Sequence, residues 1–274
     1  MLLSNRVQSA GLGNEHGLVG RFFQDHLLLR PGADISLSDP HLDLSLYHSI
    51  HRVHDSQMFA ILASPEELLR REQINNFRFH LIRARARYEK SMGRIFSRLD
   101  SLAQGRDAMI DTETQVRDSI ALHMVLEPVP NPDSRITLSD KTDLFGQRKL
   151  VVNWQTTEKD LSNAHRALEL AGLEFARLGL GRAWGAIFSD PDRWPNNLEA
   201  GRHHCGTTRM TDDPRTGVVD RNCRLHGVDN LYIAGSSVFP TIGYANPTLT
   251  IVALALRLAA HSRDRLAGKT QAGT

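Results

Sequence analysis

Two cysteines in 274 residues are too few for a disulfide scaffold, and they fit a reducing compartment. Lys and Arg number 33 against 31 Asp and Glu, a formal net charge of +2 with neutral histidines. A chain so balanced has no overall field to draw nucleic acid, and no nucleic-acid partner is expected. Aromatics are only 6% of a composition that otherwise suits a soluble globular protein. No apolar run has the length of a transmembrane segment and no secretory leader is seen, so the expected location is the cytoplasm. A glycine-rich dinucleotide turn is also missing. Gly11-Leu12-Gly13 runs into Asn14-Glu15-His16-Gly17 with no apolar strand of useful length before it. The length allows one large domain or two modest ones.

The informative stretch lies near the C-terminal end. It opens with His203-His204-Cys205-Gly206-Thr207-Thr208-Arg209-Met210 and continues through Gly217-Val218-Val219-Asp220 and Ala234-Gly235-Ser236-Ser237. It closes with Ala245-Asn246-Pro247-Thr248-Leu249-Thr250. Asn246 stands where an N-cap belongs and Pro247 suits the first helical position. The apolar run from Leu249 onward predicts a buried helix. Its free N–H groups would offer partial positive charge to an anionic ligand. Upstream, residues 230–234 read as a short buried strand, and Gly235 then permits a sharp turn and close approach of a ligand to the backbone. The same residues also suit an ordinary strand–loop–helix crossover. A metal site drawing on His203, His204, Cys205, Cys223 and His226 is a third reading, weakened because three ligands in a row converge poorly.

Together, His203 with Gly206-Thr207, Gly217-Val218-Val219-Asp220, Ala234-Gly235-Ser236-Ser237-Val238-Phe239-Pro240-Thr241 and Ala245-Asn246-Pro247-Thr248-Leu249-Thr250 resemble the C-terminal signature of the glucose–methanol–choline (GMC) oxidoreductases. These are FAD-dependent enzymes that oxidise alcohols, sugars and polyols. The resemblance is dense from about residue 200 to 262. It implies that His203 takes the hydroxyl proton and that Asn246 hydrogen-bonds the substrate oxygen. It further implies that Ala234, Gly235, Ser236, Asn246, Pro247 and Thr248 contact FAD, with no metal. Imidazole suits the proton step because it titrates near neutrality. Neighbouring side chains on an extended segment point apart, so one of His203 and His204 faces the flavin, and the spacing favours His203.

The stretch Gly13-Asn14-Glu15-His16 with Leu18-Val19-Gly20-Arg21-Phe22-Phe23 and Asp25-His26 is similar to one well inside family members. The chain is therefore expected to be the C-terminal half of a longer enzyme whose N-terminal FAD-binding half is missing. The expected class is α+β (mixed α/β): an antiparallel-sheet substrate domain with helices, plus the C-terminal segment of a Rossmann-like FAD domain. Residues 1–30 would belong to the FAD-binding domain or crossover, 31–190 to the substrate domain, and 191–274 to the C-terminal FAD-binding and catalytic segment.

Within these spans, partial alternation over 31–64 suggests short strands. The histidines at 41, 48, 51 and 54 read as scattered polar positions. Ser64 and Pro65 open a helix, and an arginine-rich helical pattern, read as a solvated face, runs from there to about 100. Strands are expected over 120–127, 135–139 and 149–154, and a helix over 156–178. Trp194 lies in the loop leading to His203, where it would line the pocket or pack beneath the loop. The substrate class is a small-molecule alcohol, sugar or polyol, and oligomerisation stays open. The competing readings are a truncated fragment that cannot hold FAD alone and a metal-stabilised interaction module.

Overall fold

The computed structural model describes residues 1–4, 8–87 and 116–268. In chain order its elements are β1 (Leu27–Leu37), α1 (Ser45–His48), β2 (His51–Val53), β3 (Ser56–Met58), β4 (Leu62–Ala63), α2 (Glu66–Glu72) and β5 (Phe77–Arg87). Then follow β6 (Val116–Leu126), β7 (Arg135–Thr142), β8 (Arg148–Asn153), α3 (Glu158–Arg177), β9 (Gly181–Trp184), α4 (Ala186–Ser189), β10 (Leu198–Ala200) and α5 (Thr248–Leu266). This is a mixed α+β architecture with antiparallel sheets, as expected.

A six-stranded antiparallel sheet runs β10-β1-β6-β5-β4, and β9 pairs β1 farther along its edge. Two-residue alternation builds it. Leu27 and Leu29 of β1, Phe77, Phe79 and Leu81 of β5, and Ile120, Leu122, Met124 and Leu126 of β6 all turn to one buried face. Ala164, Ala167, Leu168 and Phe175 of α3 cover that face. Leu168 is fully buried there, and cutting it to alanine would cost about 2–5 kcal/mol. The start of α3 is a capping box: Thr157 Oγ1 accepts from Asp160 N–H, and Thr157 N–H donates to Asp160 Oδ2. Asp160 Oδ1 also accepts from Val129 N–H at 2.7 Å, tying the helix to the loop after β6. The opposite face of the sheet carries Leu28, Arg78, His80, His123 and Val125.

The structure corrects several sequence expectations. Residues 66–100 do not form one helix. Helix α2 ends at Glu72, and β5 takes over from Phe77; residues 88–100 lie outside the described residues. The arginines hid a period-two pattern, in which Phe77, Phe79 and Leu81 alternate with Arg78, His80 and Ile82, because long charged side chains sit equally well on a strand's outer face. Ser64 does not cap α2. Its hydroxyl donates to Phe77 O, and the N-cap position belongs to Pro65. Residues 230–234 make a single bridge, Arg224 with Tyr232, and no strand.

The last helix also departs from expectation. It begins at Thr248 with Pro247 at the N-cap, so Asn246 is not the cap. Only Ile251, Leu254 and Leu258 pack onto the second apolar cluster, around Val218, Val219, Leu225, Val238 and Phe239. Leu249 is 81% exposed and Leu256 67%. An all-round apolar sequence predicts burial on every side, whereas here one stripe meets the core. Trp194 packs against the sheet core.

Candidate active site

The site begins where the segment before β1 pairs with the loop around His203. Gln24 and Cys205 exchange both backbone hydrogen bonds, at 3.0 and 2.9 Å, and Gly201 N–H donates to His26 O. This short antiparallel join lays Asp25 and His26 against residues 202–204. Gly206 completes it with φ of +89°, where an added Cβ would fall 2.1 Å from Phe22 O, so only glycine fits.

Asp25 is buried, 1% exposed, and its carboxylate holds the loop by its backbone. Oδ1 accepts from His203 N–H at 2.8 Å and Oδ2 from Arg202 N–H at 2.9 Å. Arg202 itself sits in the left-handed region at φ of +60°. His204 is exposed, with Nε2 3.5 Å from Asp25 Oδ2 and its ring beside Phe23. The two histidines thus have different surroundings, and His203 is the one that meets another imidazole.

That imidazole is His26, which has no exposed surface. Its Nδ1 lies 2.8 Å from His203 Nδ1, and its Nε2 lies 2.9 Å from Gly243 O. The rings meet edge to face with centroids 4.9 Å apart. Burial, helped by the neighbouring His203, pushes the His26 pKa down to about 4, against the opposing pull of the Gly243 hydrogen bond. His26 is therefore neutral at pH 7, with one N–H and one lone pair. Gly243 O can only accept, so the N–H is on Nε2 and the lone pair on Nδ1. The 2.8 Å contact then requires the proton on His203 Nδ1. Nε2 of His203 is then the ring nitrogen that does not meet His26.

Gly243 is fixed in turn. Its N–H donates to Glu127 Oε1 at 2.7 Å, and Asn76 binds Glu127 Oε2, so the end of β6 anchors the loop leading to α5. Three residues on, Asn246 is exposed and its Oδ1 accepts from Arg78 Nη2 at 3.1 Å. An arginine can only donate, so the carbonyl end of the amide faces Arg78. No described residue takes the Nδ2 hydrogens of Asn246. The relay His203–His26–Gly243 thus reaches the loop that ends in Asn246, while Arg78 joins that amide to the sheet.

The sequence-predicted contact residues are dispersed around this relay. Ala234 is exposed, and Ser236 Oγ donates to His204 O at 2.7 Å. Gly235, at φ of +131°, has nothing within 4 Å of where a Cβ would stand, which leaves its backbone open to approach. Pro247 is buried and Thr248 exposed, and no side chain caps α5. The first N–H groups of that helix therefore remain available as donors. Beneath the loop Cys205 is buried, its thiol pKa pushed up to about 11. Among the described residues no three His, Cys, Asp or Glu side chains gather into a metal-ligand set. His226 Nε2 lies 3.0 Å from Thr211 O, and Cys205 Sγ donates to His203 O. Asp25, His26, Arg78 and Glu127 are the residues that reading the sequence did not single out as functional. The one available signal was the Asp-His pair closing the family-like stretch before β1.

The sequence and the fold are similar to those of known proteins. Residues 130–255 match the C-terminal region of the GMC oxidoreductases. Paromamine 6'-oxidase of Streptomyces fradiae is 30% identical over 152 residues, 54% of this chain and 27% of that protein. 2-Methyl-1,2-propanediol dehydrogenase of Mycolicibacterium austroafricanum is 26% identical over 255 residues, 90% of this chain and 42% of that protein. A formate oxidase structure from Aspergillus oryzae RIB40 is similar in fold, with a TM-score of 0.50 at 15% identity, covering 94% of this chain and 49% of that one. The chain thus spans about a quarter to two fifths of the length of these curated relatives. No helix among the described residues is long and apolar enough to cross a membrane. On these matches residues 130–255 are similar to the C-terminal region of the GMC oxidoreductases.

Proposed function

We propose that this chain supplies the substrate-facing part of an FAD-dependent oxidoreductase that oxidises a CH–OH group of an alcohol, sugar or polyol. The observation that carries the reading is the imidazole relay. Neutral His26 fixes the proton on His203 Nδ1 and so frees Nε2 as a base. Removing the hydroxyl proton raises negative charge on the substrate oxygen, and the Nδ2 hydrogens of Asn246 are donors suited to it. One group accepts a proton and one donates a hydrogen bond, as alcohol oxidation requires. Asp25 keeps the base in place through backbone hydrogen bonds to residues 202 and 203.

FAD, when bound, supplies the hydride acceptor. The donors on this chain suit it. The open backbone at Gly235 and the uncapped N–H groups at the start of α5 match the carbonyl-rich edge of an isoalloxazine. Ala234, Ser236, Pro247 and Thr248 flank these two points and would line the cofactor. The division at about residues 30 and 190 belongs to the same reading, as does an N-terminal half to cradle the pyrophosphate. The names of the relatives, an oxidase of paromamine and a diol dehydrogenase, support alcohol or sugar chemistry.

The test is a complete flavoprotein containing this chain, scored for the visible absorption of oxidised flavin and its bleaching by candidate alcohols. In that protein His203→Ala should keep the flavin band and lose the bleaching. Bleaching at the unaltered rate would remove His203 from the base role.

A further inference from the structure

The outer face of the sheet carries a polar cluster beside the imidazole relay that the proton step does not use. Arg78 and His80 stand two residues apart on β5, about 7 Å along one face. His123 of β6 sits directly across from His80, and Val125 across from Arg78. Leu28 of β1 follows beside Val125, and Glu199 of β10 beside Leu28. Phe59 lies against His80 with ring centroids 5.5 Å apart.

Most charges on this face are matched, but one is not. Arg30 lies 3.6 Å from Glu199. Arg78 has no carboxylate within ion-pair distance among the described residues. Its Nη2 binds Asn246, while its Nε is buried with no hydrogen-bond partner. Burial disfavours its charge. A buried donor without a partner and a desolvated cation without an anion are both costly, and a ligand carrying a carboxylate would relieve both.

The two histidines extend the pattern. Neither ring has a hydrogen-bond partner among the described residues. Burial, with Arg78 next, depresses His80 to about 4, and burial lowers His123 as well. Both are neutral imidazoles at pH 7, each offering one donor and one acceptor, the complement of a sugar hydroxyl. Phe59, 51% exposed, gives apolar surface for the C–H side of such a ring.

We infer that Arg78, His80 and His123 bind a polyhydroxylated carboxylate, a sugar acid, with Arg78 on the carboxylate and the imidazoles on hydroxyl groups. The inference rests on the proposed alcohol-oxidising reading, because Arg78 joins this face to Asn246. The planar guanidinium can take a carboxylate through two donors, a geometry lysine lacks.

The test compares D-glucuronate with D-glucose, which differ in that carboxylate, by calorimetric titration of the chain at matched ionic strength. Glucuronate should bind at least about tenfold tighter, as expected for a charge-assisted pair. Arg78→Met should erase the preference, and Arg78→Lys should keep part of it. Thermal melting checks that each variant folds; if Arg78→Met does not fold, the reduced preference in Arg78→Lys decides. Equal binding of the two sugars, binding of neither, or a preference that survives the decisive substitution would overturn the inference. This measurement needs no flavin. A glucuronate preference alongside unimpaired bleaching in His203→Ala would sink the base assignment and leave the anion site standing, and the reverse pattern would do the opposite.

Discussion

Lowering the pH from 7 to 4 loads a proton onto position 26 of the unfolded chain before the folded protein can accept one. The ordinary imidazole value is 6.5 and the folded value about 4. At about 1.4 kcal/mol per pKa unit the gap is worth roughly 3 kcal/mol. The sign follows from which state binds the proton. The folded pKa lies below the unfolded one, so stability is full above pH 6.5. It falls as the pH drops towards 4, and the loss stops once the folded form is protonated too. His80 and His123 are shifted the same way, and the whole protein therefore shows more than the His26 contribution. His26→Gln isolates it, because the amide can still donate to Gly243 O but does not titrate. Urea unfolding at pH 7, 6, 5 and 4.5 should show the wild type losing stability faster than the variant. The gap should approach 3 kcal/mol at the acid end. Curves that run parallel over this range would refute the claim that a neutral imidazole is locked between His203 and Gly243.

Other expectations follow from single contacts. His203→Ala in the complete flavoenzyme should lower turnover by roughly a hundredfold or more with flavin retained, as for loss of a positioned base, measured by steady-state kinetics and absorbance. Asn246→Ala should reduce turnover and lower unfolding free energy by about 1 kcal/mol, since no cap is lost but Arg78 Nη2 loses its acceptor; chemical denaturation checks this. Gly206→Ala should destabilise by about 2 kcal/mol or more, because the methyl group meets Phe22 O at a positive φ; a thermal shift of several degrees is the readout. Cys205 should resist iodoacetamide at pH 8 in the folded protein and react after denaturation, given a thiol pushed up to about 11; mass spectrometry of the labelled chain decides.

The parts of the fold that could be read from the sequence are those where local rules act alone. The helix expected over 156–178 forms over Glu158–Arg177, and the strands expected over 120–127, 135–139 and 149–154 form as β6, β7 and β8. Strand β5 was missed because its arginines satisfy a solvated helix face as readily as the outer face of a sheet. The pairing with β6 that decides between them lies about 40 residues away. The site divides in the same way. His203 and Asn246 stood out through their neighbours in sequence. Asp25 and His26 lie 177 residues or more from the residues they hold, and Arg78 lies 168 from Asn246, so no local pattern links them. The cap was misread because Asn-Pro-Thr meets every local preference for one, while Arg78 claims the asparagine's carbonyl oxygen first.

Asp25 grips residue 203 by its amide hydrogen, which every amino acid except proline possesses. The main-chain hold on the loop is therefore separate from the contact its ring makes with His26. Exchange of position 203 for asparagine or glutamine should leave these backbone hydrogen bonds in place and alter only the side-chain contact with His26. Rigidity here lies in the main chain at residues 202 and 203, which Asp25 fixes, and not in the side chain carried there.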